Sequence, residues 1–97
     1  MDLEKILSSN SNFRVIRFFY ENPQCLDTYK NISVWTGLKL DAVKKALKNL
    51  CRHNIVVEHK NSSVPGYSFT NDTRIVAKIK SWFKQNTAQK NSRFKNS

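Results

Sequence analysis

Ile32 to Leu50 reads Ile-Ser-Val-Trp-Thr-Gly-Leu-Lys-Leu-Asp-Ala-Val-Lys-Lys-Ala-Leu-Lys-Asn-Leu, and this stretch decides the fold. It contains an apolar anchor at Ile32, a small residue at Ser33, a turn at Gly37-Leu38 and an apolar ladder at Val43, Ala46, Leu47 and Leu50. Steps of three and four residues put the ladder on one side of a helix. Two short helices joined by a tight turn follow, a helix-turn-helix. The first should span Thr28 to Thr36, with Asp27 or Thr28 as its N-cap and Gly37 as a left-handed C-terminal cap. Ile32 and Trp35 have the spacing to face the core, and a base-stacking platform is the competing reading of Trp35.

The second helix of the pair should start at Lys39 or Leu40 and run to about His53. With Val43 at zero on a helical wheel, Ala46, Leu47 and Leu50 lie within about 60° of it. Asp41, Lys45, Lys48 and Arg52 gather on the opposite side, with Lys44 beside them and Ala42 and Asn49 on the other shoulder. One face is therefore dry and the other basic.

Outward from this centre, Leu3, Ile6 and Leu7 suit one or two turns of amphipathic helix that packs on a later one. Ser9 to Asn12 offers several N-caps for a helix from about Ser11 to Glu21, whose apolar surface comes mostly from Phe13, Val15, Ile16, Phe19 and Tyr20. Arg14 and Arg17 fall on its solvated face, and Asn22-Pro23 stops it, because the residue before proline is disfavoured in the α region. Gln24 to Asp27 is short enough to add a small strand to a later hairpin. That hairpin is Ile-Val-Val-Glu-His-Lys (55–60), a loop through Pro65-Gly66, and Tyr-Ser-Phe-Thr (67–70), with Ile55, Val57, Tyr67 and Phe69 expected inward. A last helix from Asp72 to about Gln85 carries Ile75, Val76, Ile79, Trp82 and Phe83 on one stripe. The stripe has more bulk than a small hairpin domain needs for itself, so Ile75, Ile79, Trp82 and Phe83 are expected to meet a second subunit. Domain organisation is then one domain over 1–85 and a basic tail over 86–97, without periodicity and expected to be disordered.

The chain has 97 residues, room for one modest core. Seventeen Lys and Arg oppose seven Asp and Glu, a formal charge of +10 that makes polyanions the expected partners. Nucleic acid leads, with an anionic membrane surface well behind. Seven of the basic residues lie between Thr73 and Ser97, where there is no acid. No apolar run approaches the roughly 18 residues that span a bilayer, and the acidic start at Asp2 and Glu4 is unlike a signal peptide. The expected location is cytoplasmic, nucleoid-associated in a prokaryote or archaeon, with a viral or plasmid origin also open.

Catalytic and metal chemistry find little support. There is no Ser-His-Asp arrangement or carboxylate cluster, and two glycines cannot form a phosphate-cradling loop. No enzyme, cofactor or small-molecule ligand is expected. Cys25 and Cys51 form no C-x-x-C pair, which argues against a disulfide framework or zinc finger. Cys51, His53 and His59 supply only three ligands and straddle a helix end and a strand, so a core Cys51 with exposed histidines is preferred to a metal site.

Helix, helix-turn-helix and hairpin in this order resemble a winged helix. From Leu3 to about Phe83 the chain looks like a small prokaryotic winged helix-turn-helix regulator of the ArsR or MarR type. The residues that carry the resemblance are Arg14 to Pro23, Ile32-Ser33, Gly37-Leu38, Val43, Leu47, Leu50, Asn54-Ile55-Val56 and Gly66 to Thr70. It implies a mainly α fold with a small β-hairpin, a second motif helix in the DNA major groove, a wing on backbone or minor groove, and terminal helices that form a two-fold dimer. The chain departs from the pattern at Lys39-Leu40, where a Ser or Thr cap is common, and it lacks the metal-sensing ligands of such families.

The implied DNA contacts are Lys39, Asp41, Ala42, Lys44, Lys45, Lys48, Asn49 and Arg52 on the recognition helix, with Lys60, Asn61, Ser62 and Ser63 on the wing. The lysines reach phosphates or guanine, Ala42 a thymine methyl and Asn49 an adenine, whereas Asp41 is expected to favour the helix N-terminus. Lysine is a flexible point charge, so backbone charge should dominate affinity and sequence specificity should be modest. The expected function is sequence-dependent binding of double-stranded DNA by a homodimeric transcriptional regulator. Competing readings are a winged-helix protein-interaction module and a non-specific DNA- or RNA-binding architectural protein.

Overall fold

Val43, Ala46, Leu47 and Leu50 are almost wholly buried, and they form the side of a helix on which the other elements are laid. The computed structural model describes residues 2–60 and 62–96, with side chains described as far as residue 86. In chain order the elements are α1 (Leu3–Leu7), α2 (Asn10–Glu21), β1 (Leu26–Asp27), α3 (Tyr29–Thr36), α4 (Leu40–Arg52), β2 (Val56–His59), β3 (Gly66–Phe69) and α5 (Thr73–Asn96). The fold is a mainly helical winged helix-turn-helix with a three-stranded antiparallel sheet of order β1-β3-β2.

Several helix boundaries have a chemical cause. Ser9 caps α2 by accepting from the Asn12 amide, and Thr28 caps α3 by accepting from the Asn31 amide. Gly37 ends α3 with φ of 74°, the left-handed region that suits glycine. The turn after it is tied by the Ser33 hydroxyl, which donates to the Leu38 carbonyl at 2.6 Å, and by Arg14, which donates to the Thr36 carbonyl at 3.0 Å. The far end of α4 closes in a Schellman arrangement. Asn54 turns left-handed with φ of 61°, its amide donates to the Cys51 carbonyl, and the Ile55 amide donates to that of Leu50.

This C-terminal closure shifts the phase of the wing relative to the sequence expectation. Ile55 is buried because it still belongs to the helix end, and β2 starts only at Val56. Val56, opposite Phe69, then faces inward and Val57 outward, where the alternation had assigned Ile55 and Val57 to the same inner face. Phe69 is buried as expected, and Tyr67 is half-buried. β1 joins β3 through Leu26 opposite Ser68 and Asp27 opposite Tyr67, as the sequence reading anticipated.

Trp35 departs further from expectation. It is 74% exposed, and neighbouring Val34 is 79% exposed. The covered arc of α3 consists of Tyr29, Ile32, Ser33 and Thr36, of which Ile32 is fully buried. At about 100° per residue, Trp35 lies about 110° from the middle of that arc. An i, i+3 relation to Ile32 was too short a pattern to fix the side of the helix on which Trp35 falls.

α5 crosses α2 through aromatic contacts. Tyr20 and Phe83 stack at 4.7 Å, Phe13 meets Trp82 edge-on at 5.9 Å, and the Trp82 indole donates to Glu4 of α1 at 3.2 Å. Ile79 and Phe83 are buried within one chain, so the stripe assigned from sequence to a second subunit is largely consumed by the protomer core. α5 runs past the Gln85 boundary read from the sequence. Residues 86–96, expected as a disordered tail, thus continue the helix in their backbone, while the side chains of residues 87–97 lie outside the described ones.

Gly37→Ala should lower stability by about 1–2 kcal/mol, the cost of a left-handed L-residue. Trp35→Ala should change it by no more than about 0.5 kcal/mol, against about 3–5 kcal/mol for a core tryptophan. Urea unfolding of both variants checks the pair, and a large loss in Trp35→Ala would restore the core assignment.

Candidate nucleic-acid interface

The basic face of α4 is open. Lys44, Lys45, Lys48 and Arg52 are exposed, Ala42 and Asn49 are half-buried on the shoulder, and Asp41 is exposed in the first turn. Lys39 is the N-cap in extended conformation and provides no side-chain cap, so the start of α4 matches the departure seen at Lys39-Leu40. Asp41 makes no capping bond either; its carboxylate acts on the helix N-terminus through charge alone.

The four cations are not equivalent. Lys44 leans toward α3, with its ammonium 4.7 Å from the centre of the Tyr29 ring, a cation–π contact that fixes its direction. Lys45, Lys48 and Arg52, with Ala42, Ala46 and Asn49, instead line an open cleft whose other wall is Ser9, Ser11 and Asn12 at the α1–α2 corner. The ion pairs among the described residues are Arg17 with Glu21, Lys60 with Glu58, and Arg74 with Asp72, so none uses a cation of α4.

The wing is less free than its sequence implied. Lys60 reaches Glu58 at 3.7 Å, an exposed pair of small energetic weight that a phosphate can displace. Ser62 and Ser63 are exposed at the tip, with the Ser62 hydroxyl donating to the Val64 carbonyl at 2.8 Å, and Asn61 lies outside the described residues. Gly66 at the base leaves room for Leu26, since a Cβ there would sit 3.1 Å from the leucine side chain.

The histidines are not exposed as expected but half-buried. His59 Nε2 lies 2.8 Å from the Ser68 hydroxyl, which holds the ring against β3. Cys51 and Cys25 are free thiols. Burial, then the Glu58 charge, pushes the Cys51 thiol up, and burial with the Asp27 hydrogen bond pushes Cys25 up to about 11. Neither has the depressed pKa of a reactive thiol. No group of three His, Cys, Asp or Glu stands together among the described residues, and none of the helices searched is long and apolar enough to cross a membrane.

Sequence reasoning missed the wall that the α1–α2 corner contributes, because Ser9, Ser11 and Asn12 were read only as caps. Asn12 carried a signal: a polar residue four before Ile16 falls on the buried stripe of α2. Its amide donates to the Ile6 carbonyl at 3.2 Å, and the residue is only 7% exposed.

No protein-family model and no curated protein matches the chain. Solved structures do. The AntR antimony-specific transcriptional repressor aligns with a TM-score of 0.73 at 15% identity, over 92% of this chain and 78% of that one. A homodimeric winged helix-turn-helix DNA-binding domain from Mycobacterium bovis, a possible ArsR-family transcriptional regulator, aligns at 0.65 and 15% identity, over 84% of this chain and 75% of that one. The Zalpha domain of PKZ from Carassius auratus, solved in complex with Z-DNA, aligns at 0.54 and 23% identity, over 62% of this chain and 92% of that one. At these identities the likeness establishes the winged helix fold.

At the wing base, burial, then the hydrogen bond to Glu58 and its charge, push the Tyr67 phenol from 10.0 up to about 12. The folded state therefore holds this proton more tightly than the unfolded chain does. The associated stability is fully present below pH 10.0 and is lost as pH rises toward about 12. Cys25 adds a loss of the same sign from 9.0 toward about 11. Urea midpoints should fall through this alkaline window, and less steeply in Tyr67→Phe; equal slopes would contradict the assignment.

Proposed function

We propose that the protein binds double-stranded DNA as a transcriptional regulator, with α4 in the major groove and the wing beside it. The observation that carries this reading is the open row Lys44, Lys45, Lys48 and Arg52, free of acidic partners among the described residues and fixed outward by the buried ladder behind it. The solved neighbours add to it, being named as a repressor, a DNA-binding domain and a domain in complex with Z-DNA. Lys39 and Lys60 extend the positive strip, Ser63 offers a hydroxyl to a backbone phosphate, as Ser62 does on releasing the Val64 carbonyl, and Ala42 and Asn49 are the side chains suited to base edges. With lysines supplying most of the charge, affinity rests on the backbone and specificity is modest.

A homodimer remains part of the proposal on a narrower surface. Since Ile79 and Phe83 are buried in their own chain, the half-buried Ile75, Val76 and Trp82 are what the described side chains of α5 have left to offer. Ile75→Glu should lower the mass found in sedimentation equilibrium, and a monomeric parent would refute the dimer.

One observation favours a protein-interaction module instead: Val34, Trp35 and Leu40 are exposed beside the turn. The two readings separate experimentally. Lys44→Ala, Lys45→Ala and Lys48→Ala together should abolish duplex binding while leaving the far-ultraviolet circular dichroism and melting unchanged. If a protomer neutralises ~4 to 6 phosphates, log K should fall with log salt at a slope of about −4 to −5. Unchanged binding by the triple variant would leave the interaction-module reading in place.

A further inference from the structure

We propose that the cleft between the α1–α2 corner and α4 is a phosphate-binding site. It encloses about 540 Å³, and Lys45, Lys48 and Arg52 stand along one wall with Ser9, Ser11 and Asn12 along the other. Three cations that share one concavity without an acidic partner among the described residues repel one another, and an anion between them relieves that repulsion. Arginine adds a planar fork matched to phosphate oxygens, and the two lysines add point charge.

The facing wall is suited to the same ligand. Ser11 stands in the first turn of α2, a 12-residue helix whose first amides have no helical acceptor. Ser9 and Ser11 bring hydroxyls. Asn12 commits one side-chain N–H to the Ile6 carbonyl, and that bond fixes the corner that forms the wall. The cleft is open to solvent and wider than a bare phosphate, so it admits a phosphate group carried on a larger body. Two sources share this chemistry: a diester of a nucleic-acid backbone and a free phosphorylated molecule. In the second case the ligand and a duplex compete for Lys45, Lys48 and Arg52. The site stands on its own geometry and does not require the DNA reading.

The test follows backbone amide chemical shifts of the full chain during titration with inorganic pyrophosphate and, separately, with a short duplex. The expected result is a saturable shift of Ser9, Ser11, Asn12 and Asn49. Ser11→Glu, a substitution that favours a helix N-terminus, should weaken it roughly tenfold or more without lowering the melting temperature. Arg52→Gln, on the opposite wall, should weaken it as well. Shifts with pyrophosphate and none with the duplex assign a free phosphorylated ligand, and shifts at the same amides with the duplex assign a backbone phosphate. Pyrophosphate binding without duplex binding would keep the cleft and remove the proposed function. The cleft is refuted if neither titrant moves these amides, or if Ser11→Glu binds the titrant that moves them as tightly as the parent.

Discussion

Burial of one side of α4 is the constraint on which the rest depends. Val43 and Leu50 are fully buried, and Ala46 and Leu47 nearly so. Each fully buried side chain of this size contributes about 1.5–3 kcal/mol relative to exposure, so the rotation of the helix about its axis is not free. A helix turned to hide these residues must present Lys45, Lys48 and Arg52 to solvent. The charged surface is thus a geometric consequence of the core, and the link from packing to function passes through a single helix.

The surrounding elements act as devices that hold this rotation. Gly37 and the Ser33–Leu38 hydrogen bond set the angle at which α4 leaves α3, while Arg14 ties the α3 end to α2. At the other end, the left-handed Asn54 and the Ile55 amide close the helix and start the wing in a defined register. α5 then covers α2 with Phe83 and buries Ile79, which completes the core within one chain. Polar groups of the α1–α2 corner meet the shoulder of α4 and turn a flat basic face into a cleft.

Features governed by long periodicity or local chemistry were legible in the sequence. The α4 ladder repeats over enough turns to fix its side, Asn22-Pro23 and Gly37 mark helix ends by backbone preference alone, and the small strand at Leu26–Asp27 pairs as expected. Features set by one residue or by distant neighbours were not. Trp35 sits in a helix of eight residues, where the covered arc depends on which side meets α2 and α4. The wing phase turned on one left-handed asparagine. The destination of Phe83 required knowing that Phe13 and Tyr20 stand opposite it. Likewise, the direction of Lys44 toward Tyr29 is a tertiary fact invisible to a helical wheel.

The central claim, that the outward face forced by the α4 core is the surface that meets DNA, is tested most directly by lysine acylation read by mass spectrometry with and without a duplex. The account predicts strong protection of Lys45 and Lys48, weaker protection of Lys60, and unchanged reaction at Lys5, Lys78 and Lys80, which are exposed on other helices. Protection confined to Lys78 and Lys80, with Lys45 and Lys48 reacting at their free rates, would contradict it.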